Sequence, residues 1–209
     1  MVKIKICGIR SPVVALNVSA MGADALGFVF ARSPRRVEPD VVRAITAQLP
    51  PFVSAVGVFV DEDPILVQEI ADYCRLDYAQ LHGQENPAYC RQLRVKTIKA
   101  IRVRDMQSIE QIRLYSGSVS GFLLDTYEPG KPGGTGTTFN WDIALAAGKY
   151  APVILAGGLN PQNIGSAVKQ ARPYAVDVSS GVETGGQKDL AKIKQFIEEV
   201  RRSSHDITG

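Results

Sequence analysis

The run Val2-Lys-Ile-Lys-Ile-Cys-Gly-Ile-Arg10 alternates β-branched and polar residues and ends in a thiol followed directly by a glycine. Alternation with a period of two predicts a β-strand that ends at Cys7. Similar short apolar runs recur along the chain, each bounded by glycine or polar residues. Together they predict eight strands, at residues 3–7, 25–30, 55–60, 78–81, 97–103, 121–125, 153–156 and 175–178.

Helical patterns lie between the predicted strands. Residues 39–49 and 64–73 place apolar side chains at helical spacing, and residues 190–201 have an apolar stripe opposite charged residues. Residues 161–169 follow Asn160, a good N-cap, and begin with proline at the first helical position. This alternation predicts an α/β fold, in which a (β/α)8 barrel of the TIM type is favoured over a doubly wound sheet.

The barrel is favoured because chemically active side chains fall at one end of the predicted strands. In a barrel the carboxyl ends converge on one mouth, whereas in an open sheet they spread along an edge. No linker or change of composition divides residues 1–209, so a single barrel domain is predicted, with a polar tail at 203–209 that is expected to fray. The residues at or near these ends are Cys7, Gln80, His82, Asp125, Gly157 and Asp177.

Composition argues against several classes of function. The chain has 209 residues, 45% of them apolar and 22% charged, and its net charge of +3 is spread along the sequence, as in an ordinary soluble protein. Neither a nucleic-acid partner nor a membrane partner is expected, since basic clusters, membrane-length apolar runs and a signal peptide are all missing. Three cysteines at irregular spacing argue against a disulfide framework or zinc site and favour a cytoplasmic location.

Cys7 and Asp125 are the candidate catalytic pair. A buried cysteine is usually a small core residue, so Cys7 alone does not decide between packing and catalysis. Asp125 ends an apolar strand, where a carboxylate is costly to ionise and suits a general acid, with a capping or ion-paired aspartate as the alternative. In a closed ring, strands one and six are expected to place the two groups across the mouth from each other. A base and an acid on opposite sides of a substrate suit an isomerisation by proton transfer.

Two glycine-containing turns after the seventh and eighth strands predict a phosphate site. Gly157-Gly158 follows one strand, and Ser180-Gly181 follows the next. Backbone N–H groups of such turns approach an anion closely, and loops after these two strands are the usual phosphate position in TIM barrels. Ordinary turn glycines are the alternative interpretation.

Several other polar residues are predicted at the mouth, with alternatives left open. Arg35 or Arg36 would hold a substrate carboxylate or be an ordinary surface arginine. His82 would orient the substrate or be structural, and Asp177 would bind a sugar hydroxyl or pair within the core. A glycine-rich segment at residues 128–141 would cover the active site or be a plain insertion. The glycines of interest there are Gly133, Gly134 and Gly136.

Nine short segments carry the most specific signal in the chain. They are Lys5-Ile-Cys-Gly-Ile9, Gly22-Ala-Asp-Ala-Leu-Gly-Phe-Val-Phe30, Ser33-Pro-Arg-Arg36, Val56-Gly-Val-Phe-Val60, Gln80-Leu-His-Gly83, Leu123-Leu-Asp-Thr126, Gly133-Gly-Thr-Gly136 with Phe139, Gly157-Gly-Leu-Asn160 and Val176-Asp-Val-Ser-Ser-Gly-Val-Glu183. In this order they resemble the phosphoribosylanthranilate isomerase family over nearly the whole chain. The resemblance implies a TIM barrel of the ribulose-phosphate-binding type.

The resemblance implies an Amadori rearrangement in tryptophan biosynthesis, in which N-(5-phosphoribosyl)anthranilate becomes 1-(2-carboxyphenylamino)-1-deoxyribulose 5-phosphate. It implies Asp125 as general acid and Cys7, as a thiolate, as general base. A thiol pKa below its ordinary value of about 8.5 would supply that thiolate at neutral pH. Arg36 would hold the anthranilate carboxylate and Asp177 would contact the ribose. The phosphate would lie at Gly157, Gly158, Ser180 and Gly181.

The same resemblance sets expectations for cofactors and partners. Neither a metal nor an organic cofactor is implied, because the substrate nitrogen supplies the electron sink. The expected partner is a small phosphorylated molecule, and a monomer and a homodimer both stay open.

Two enzyme families and one kind of binding protein are alternatives. The aminoaldose isomerase of histidine biosynthesis typically uses two aspartates and binds a substrate with two phosphates, whereas the first strand here ends in cysteine. Indole-glycerol-phosphate synthase typically uses lysine as its general acid. A phosphoribosyl-ligand binding protein without catalysis is the alternative from another class, and the presence of both Cys7 and Asp125 argues against it.

Overall fold

Eight parallel strands form a closed barrel, and a helix follows each strand along the chain. The computed structural model describes residues 1–126 and 142–208. The strands are β1 (Lys3–Cys7), β2 (Ala25–Val29), β3 (Ser54–Phe59), β4 (Tyr78–Leu81), β5 (Lys96–Val103), β6 (Gly121–Thr126), β7 (Val153–Leu155) and β8 (Ala175–Val178). The helices are α1 (Pro12–Ala20), α2 (Pro39–Thr46), α3 (Pro64–Cys74), α4 (Pro87–Cys90), α5 (Ser108–Leu114), α6 (Asp142–Ala147), α7 (Ile164–Ala171) and α8 (Leu190–Thr208). None of the helices in these two stretches is long and apolar enough to span a membrane.

Closure of the ring settles the choice between a barrel and an open sheet. Each strand pairs in parallel with its neighbours in chain order, and β8 pairs with β1, where Val176 lies opposite Ile4 and Asp177 opposite Lys5. A doubly wound sheet would instead end in two separate edge strands. The predicted TIM barrel is therefore confirmed, and the carboxyl ends of the eight strands meet at one mouth.

Strand alternation divides the core into two apolar layers. In β1, Ile4 and Ile6 are fully buried in the layer between strands and helices, while Lys5 and Cys7 point to the barrel interior. The outer layer is the larger, because each helix lays apolar side chains against the sheet. The inner layer consists of Val56, Ile98, Ala100, Leu123, Ile154, Ala156 and Ala175.

The predicted strands agree with the observed ones to within one residue at each end, but one helix starts later than predicted. Helix α7 begins at Ile164 rather than at residue 161. The Oδ1 atom of Asn160 accepts the backbone N–H groups of Gln162 and Asn163 at 2.9 and 3.1 Å. Asn160 therefore caps a separate turn that precedes the helix.

The expectation of a frayed tail at 203–209 is wrong for residues 203–208, which continue helix α8. Ser203 and Ser204 are buried, with relative exposures of 1% and 3%. The Ser204 hydroxyl donates to the Val200 carbonyl at 2.7 Å and accepts from the Val2 N–H at 3.4 Å. Helix α8 therefore packs against the start of β1. The polar sequence of residues 203–208 gives no indication of this contact, because its partner lies at the other end of the chain.

A short hairpin after β8 is absent from the sequence-based prediction. It pairs β9 (Glu183–Thr184) with antiparallel β10 (Gln187–Lys188). Gly185 and Gly186 form its turn with φ of 57° and 75°, left-handed values that suit glycine. The hairpin follows the 3-10 turn Ser180–Val182 and brings Glu183 and Lys188 together just beyond the carboxyl end of β8.

Candidate active site

The last residue of β1 places the Cys7 thiol at the barrel mouth. The side chain is buried, with a relative exposure of 7%, beside Val29 and Val58. Its register neighbour on β2 is Gly27, where an added Cβ would lie 2.7 Å from Cys7 Sγ. Glycine at position 27 therefore leaves the space that the sulfur occupies. The Ser179 hydroxyl donates to the Cys7 carbonyl at 3.2 Å and ties β1 to the end of β8.

A buried lysine lies inside the barrel two residues before the thiol. Lys5 Nζ donates to Asp177 Oδ1 and to Gln80 Oε1, each at 2.9 Å, and the Lys5 and Asp177 side chains are 4% and 9% exposed. Burial alone lowers the pKa of Lys5, but attraction to Asp177 and Cys7 outweighs burial and raises it. The lysine is therefore charged at neutral pH. Asp177 faces the barrel interior, where this lysine is its partner.

Burial and charge act in opposite directions on the thiol. Burial raises the pKa of Cys7, and the positive charges of Lys5 and Lys188 lower it by less, while Asp177 adds to the rise. The net effect is a thiol pKa above its ordinary value. The structure therefore shows a shift opposite to the one that would favour a thiolate at neutral pH, because the desolvation of the sulfur outweighs the nearby cations.

A second charged cluster engages one of the two candidate arginines. Arg35 Nε and Nη2 donate to the two carboxylate oxygens of Glu183 at 2.8 and 2.7 Å, and Lys188 Nζ donates to the same carboxylate at 2.6 Å. Burial alone raises the pKa of Glu183, but these hydrogen bonds outweigh burial and hold the pKa at about 2. The bidentate pair commits Arg35 to Glu183. Arg36 is 57% exposed, and its Nη2 lies 3.6 Å from Glu38 Oε1.

Asp125 lies near the end of β6, where it contacts a histidine. His82 Nε2 is 3.5 Å from Asp125 Oδ2, and the two side chains are 24% and 20% exposed. This separation is too long for a strong hydrogen bond, but it places the imidazole beside the carboxyl group. In the closed ring, β7 and β8 separate β6 from β1. The acid candidate and the thiol of Cys7 therefore belong to different sides of the mouth.

The turn that carries His82 is held by a buried ion pair. Lys99 Nζ donates to Glu85 Oε2 and to the Gly83 carbonyl, each at 2.7 Å, and the Lys99 and Glu85 side chains are 3% and 1% exposed. The Glu85 carboxylate also accepts the backbone N–H of Asp61 at 2.8 Å. Charged groups this deeply buried are costly without their partners, so the pair stays together. It thereby fixes the position of the His82 backbone.

The turns after β7 and β8 have the geometry of an anion site. Gly157 and Gly158 have φ of 83° and 64°, in the left-handed region that favours glycine. Gly181 lies against the carbonyl oxygen of Leu159, which any Cβ there would overlap. The N–H groups of Gly157, Gly158, Ser180 and Gly181 donate no hydrogen bond to another residue in the described part of the chain. Successive unpaired backbone N–H groups of this kind bind anions.

The predicted cover segment lies outside the described residues, including Gly133, Gly134 and Gly136. Sequence reasoning also missed five charged residues that shape the site. The alternation of β1 held the signal for one of them, since Lys5 lies two residues before Cys7 and shares its face. Contacts such as Arg35 with Glu183, 148 positions apart, leave no local pattern. The five residues are Lys5, Glu85, Lys99, Glu183 and Lys188.

Comparisons with known proteins point to one family. Residues 4–199 match the family model described as N-(5'phosphoribosyl)anthranilate (PRA) isomerase. A curated relative named N-(5'-phosphoribosyl)anthranilate isomerase, from Moorella thermoacetica, is 55% identical over 206 residues. The match covers 97% of this chain and 91% of the relative.

Two solved structures are similar over the same length. The phosphoribosyl anthranilate isomerase of Thermotoga maritima has a TM-score of 0.90 and 43% identity, and the match covers 97% of this chain and 100% of that one. A second structure is a phosphoribosyl anthranilate isomerase in complex with reduced 1-(o-carboxyphenylamino)-1-deoxyribulose 5-phosphate. It has a TM-score of 0.86 and 41% identity, with the same two coverages. The similarity therefore extends from the fold to the sequence of the whole barrel.

Proposed function

Because the chain belongs to the N-(5'-phosphoribosyl)anthranilate isomerase family, we propose that Cys7 and Asp125 are the general base and the general acid of its reaction. The enzyme is an isomerase of tryptophan biosynthesis that converts N-(5'-phosphoribosyl)anthranilate to 1-(2-carboxyphenylamino)-1-deoxyribulose 5-phosphate. One observation carries the proposal. A thiol and a carboxyl group lie at the carboxyl ends of β1 and β6, on different sides of one closed mouth.

The proposed reaction has two main proton transfers. Asp125 donates its proton to the furanose ring oxygen as the C1–O bond breaks, and the lone pair of the substrate nitrogen forms the C1=N bond of an iminium. The Cys7 thiolate then removes the proton from C2. The C–H electron pair becomes the C1=C2 bond of an enolamine, and the iminium electrons return to nitrogen. Loss of the enol proton and protonation of C1 give the ketone, and proton exchange with water returns Asp125 to the acid and Cys7 to the thiolate, so the scheme needs no metal and no organic cofactor.

His82 is assigned to orienting the acid rather than to binding the substrate. Its imidazole lies beside Asp125 Oδ2, and the buried Lys99–Glu85 pair holds the turn that carries it. Proton transfer is efficient when the donor is held in the reactive geometry before the substrate arrives. The neighbouring ring limits the orientations of the carboxyl group and so favours that geometry.

The substrate extends across the mouth from its phosphate. The turns at Gly157-Gly158 and Ser180-Gly181 bind the phosphate through their backbone N–H groups. Asp177, held by Lys5, contacts a ribose hydroxyl. Arg36 binds the anthranilate carboxylate, since the Arg35 guanidinium is already paired with a glutamate.

The site is built by one chain, so a monomer and a homodimer are equally compatible with it. Its ligand is a small phosphorylated molecule. We place the enzyme in the cytoplasm, because all three cysteines are free and reducing compartments keep thiols in that state. They are Cys7, Cys74 and Cys90.

The direct test of the function is an assay of the purified protein with N-(5'-phosphoribosyl)anthranilate, followed by the fluorescence of the anthranilate group. We expect the substrate to be consumed in the presence of a metal chelator and without added cofactor. No consumption under conditions in which an established relative is active would reject the isomerase function. Binding of the reduced product analogue without turnover would then favour a phosphoribosyl-ligand binding protein.

The pH dependence of kcat is expected to report the Cys7 thiol. Burial raises the pKa of this thiol, and only the thiolate accepts a proton. The value of kcat should therefore rise with pH, and the midpoint of this rise should lie above the ordinary thiol pKa of about 8.5. Replacing Lys5 by glutamine removes a positive charge but keeps an amide donor for Asp177, so this rise should move to still higher pH.

The matched control for Lys5→Gln is Lys3→Gln, at the other end of the same strand. Lys3 is 54% exposed and pairs with Asp24 at 2.8 Å, so its loss should leave the pH profile of kcat unchanged. An unaltered profile in Lys5→Gln would contradict the action of the Lys5 charge on the base. A wild-type activity that is already maximal well below the ordinary thiol pKa would contradict the raised pKa of Cys7.

A further inference from the structure

Arg102 is a positively charged residue at the mouth that the reaction scheme does not use. It lies on β5 opposite Asp125 of β6 in the strand register. Ile98 and Ala100 of the same strand belong to the inner apolar layer of the barrel. Because side chains alternate along a strand, Arg102 continues this inward series at the carboxyl end, where the barrel opens.

The lack of a carboxylate partner distinguishes Arg102 from other cations at the mouth. Lys5, Arg35 and Lys188 each form an ion pair at 2.9 Å or less. The Arg102 guanidinium makes no hydrogen bond or ion pair with a residue in 1–126 or 142–208. A guanidinium has a planar fork of donors that matches a carboxylate. Arg102 is therefore available to an anionic ligand.

Arg102 also lines a cavity on this side of the mouth. The cavity has a volume of about 830 Å³ and reaches from His82, beside the proposed acid, to helix α5. Its lining is mostly polar or charged, with Val60 and Leu114 among its apolar members. Its volume lies in the range of small-molecule sites, and its polar lining suits a charged group of a ligand.

The ring order places this cavity towards the far end of the substrate. The phosphate turns follow β7 and β8, so β3 and β4 form the opposite side of the ring. A substrate held by its phosphate therefore extends its aromatic ring in that direction. Val29 and Val58, which pack with Cys7, provide an apolar surface there. The strands next to β3 and β4 in the ring are β2 and β5. Arg102 lies on β5, and Arg36 follows β2, so the two arginines border this side of the mouth from opposite ends.

We infer that Arg102 binds the carboxylate on the aromatic ring of the substrate through its guanidinium fork. The inference deepens the proposed function and rests on it. It makes Arg102 a specificity residue, because a substrate whose ring lacks the carboxylate loses this contact and a carboxylated one keeps it. Charge-assisted, bidentate hydrogen bonds are among the stronger polar contacts, so the loss should be measurable at an exposed site.

The test compares N-(5'-phosphoribosyl)anthranilate with N-(5'-phosphoribosyl)aniline, in which hydrogen replaces the carboxylate. In Arg102→Ala we expect KM for the carboxylated substrate to rise about tenfold, the lower end for a charged hydrogen bond, with kcat retained. KM for the aniline compound should not change. Inhibition constants of the two corresponding reduced products provide the same comparison without depending on turnover of the aniline compound.

Three further variants sharpen the comparison. Arg102→Lys keeps the charge without the fork, so its KM for the carboxylated substrate should lie between those of the wild type and Arg102→Ala. Arg113→Ala removes an arginine of α5 that is 68% exposed and should change neither constant. Arg36→Ala, run in parallel, measures the contact proposed for Arg36 independently.

Each outcome separates the inference from the function on which it rests. If Arg102→Ala raises KM and the inhibition constant equally for the carboxylated and the aniline compounds, Arg102 attracts anions in general, and the inference is overturned. Unchanged constants for the carboxylated ligands in Arg102→Ala would overturn it too, while leaving the isomerase function intact. If the wild type neither turns over the anthranilate substrate nor binds its reduced product, the proposed function itself fails. An unfolding temperature equal to that of the wild type verifies that each variant is folded. If Arg102→Ala does not fold, Arg102→Gln replaces it.

Discussion

Replacing Cys7 by serine is expected to lower kcat by about 10²–10⁴-fold, the range that a positioned general base contributes. Serine fits the space that Gly27 leaves for the sulfur, so the fold should be kept. An alcohol ionises far less readily than a thiol, and the burial that raises the pKa of Cys7 also disfavours an alkoxide. The kcat value at saturating substrate measures the loss of the base, and binding of the reduced product analogue should be largely retained.

The matched control is Cys74→Ser, which makes the same exchange away from the mouth. Cys74 is fully buried at the end of α3 and donates from Sγ to the Pro39 carbonyl at 3.4 Å, a bond that a hydroxyl group also makes. We expect wild-type kcat in this variant. Near-normal turnover in Cys7→Ser would mean that another group removes the C2 proton, and the assignment of the base would be wrong.

Replacing Asp125 by asparagine is expected to lower kcat to a similar extent, by about 10²–10⁴-fold. The amide preserves the shape of the side chain and its position beside His82, 3.5 Å away in the wild type. It has no acidic proton, however, so the furanose ring oxygen leaves without protonation and ring opening becomes slow. The measurement is again kcat at saturating substrate, with binding of the reduced product analogue largely retained.

Asp40→Asn is the control for this exchange. Asp40 lies on α2 and accepts a hydrogen bond from the Tyr73 hydroxyl at 2.6 Å, which an amide oxygen also accepts. Its kcat should match the wild type. A fast Asp125→Asn variant would contradict the role of the acid, whereas a slow variant with a lowered unfolding temperature and no binding of the analogue would indicate a structural role.

Local periodicity was sufficient to predict the strands, as β1, β4 and β8 show. Their predicted bounds coincide with the observed ones, because a strand that is buried on one or both faces needs an unbroken set of apolar residues. The last helix shows where this reasoning fails. Ser203 and Ser204 are polar by sequence yet buried, since their hydroxyl groups find partners within the helix or at the start of β1.

The positions of the candidate catalytic residues were predictable from the sequence, whereas the ion pairs around them were not. The C-terminal ends of β1 and β6 put Cys7 and Asp125 at the mouth, and strand order puts them on different sides of it. Residue type alone left Arg35 and Arg36 open and the family resemblance favoured Arg36, while the pairing of Arg35 with Glu183 is visible only in the structure. Lysine is usually assigned to the surface, and Lys5 is instead inside the barrel.

Sequence by itself determined the order of strands and helices, the α/β class, and the thiol and carboxyl group at strand ends, because each of these follows from residues close together in the chain. Tertiary structure alone decided which arginine is paired, which histidine adjoins Asp125, and in which direction the pKa of Cys7 moves. The physical reason is that desolvation and Coulomb attraction depend on three-dimensional distance. The charged neighbours of Cys7 include Asp177 and Lys188, which folding brings to it from the far end of the chain.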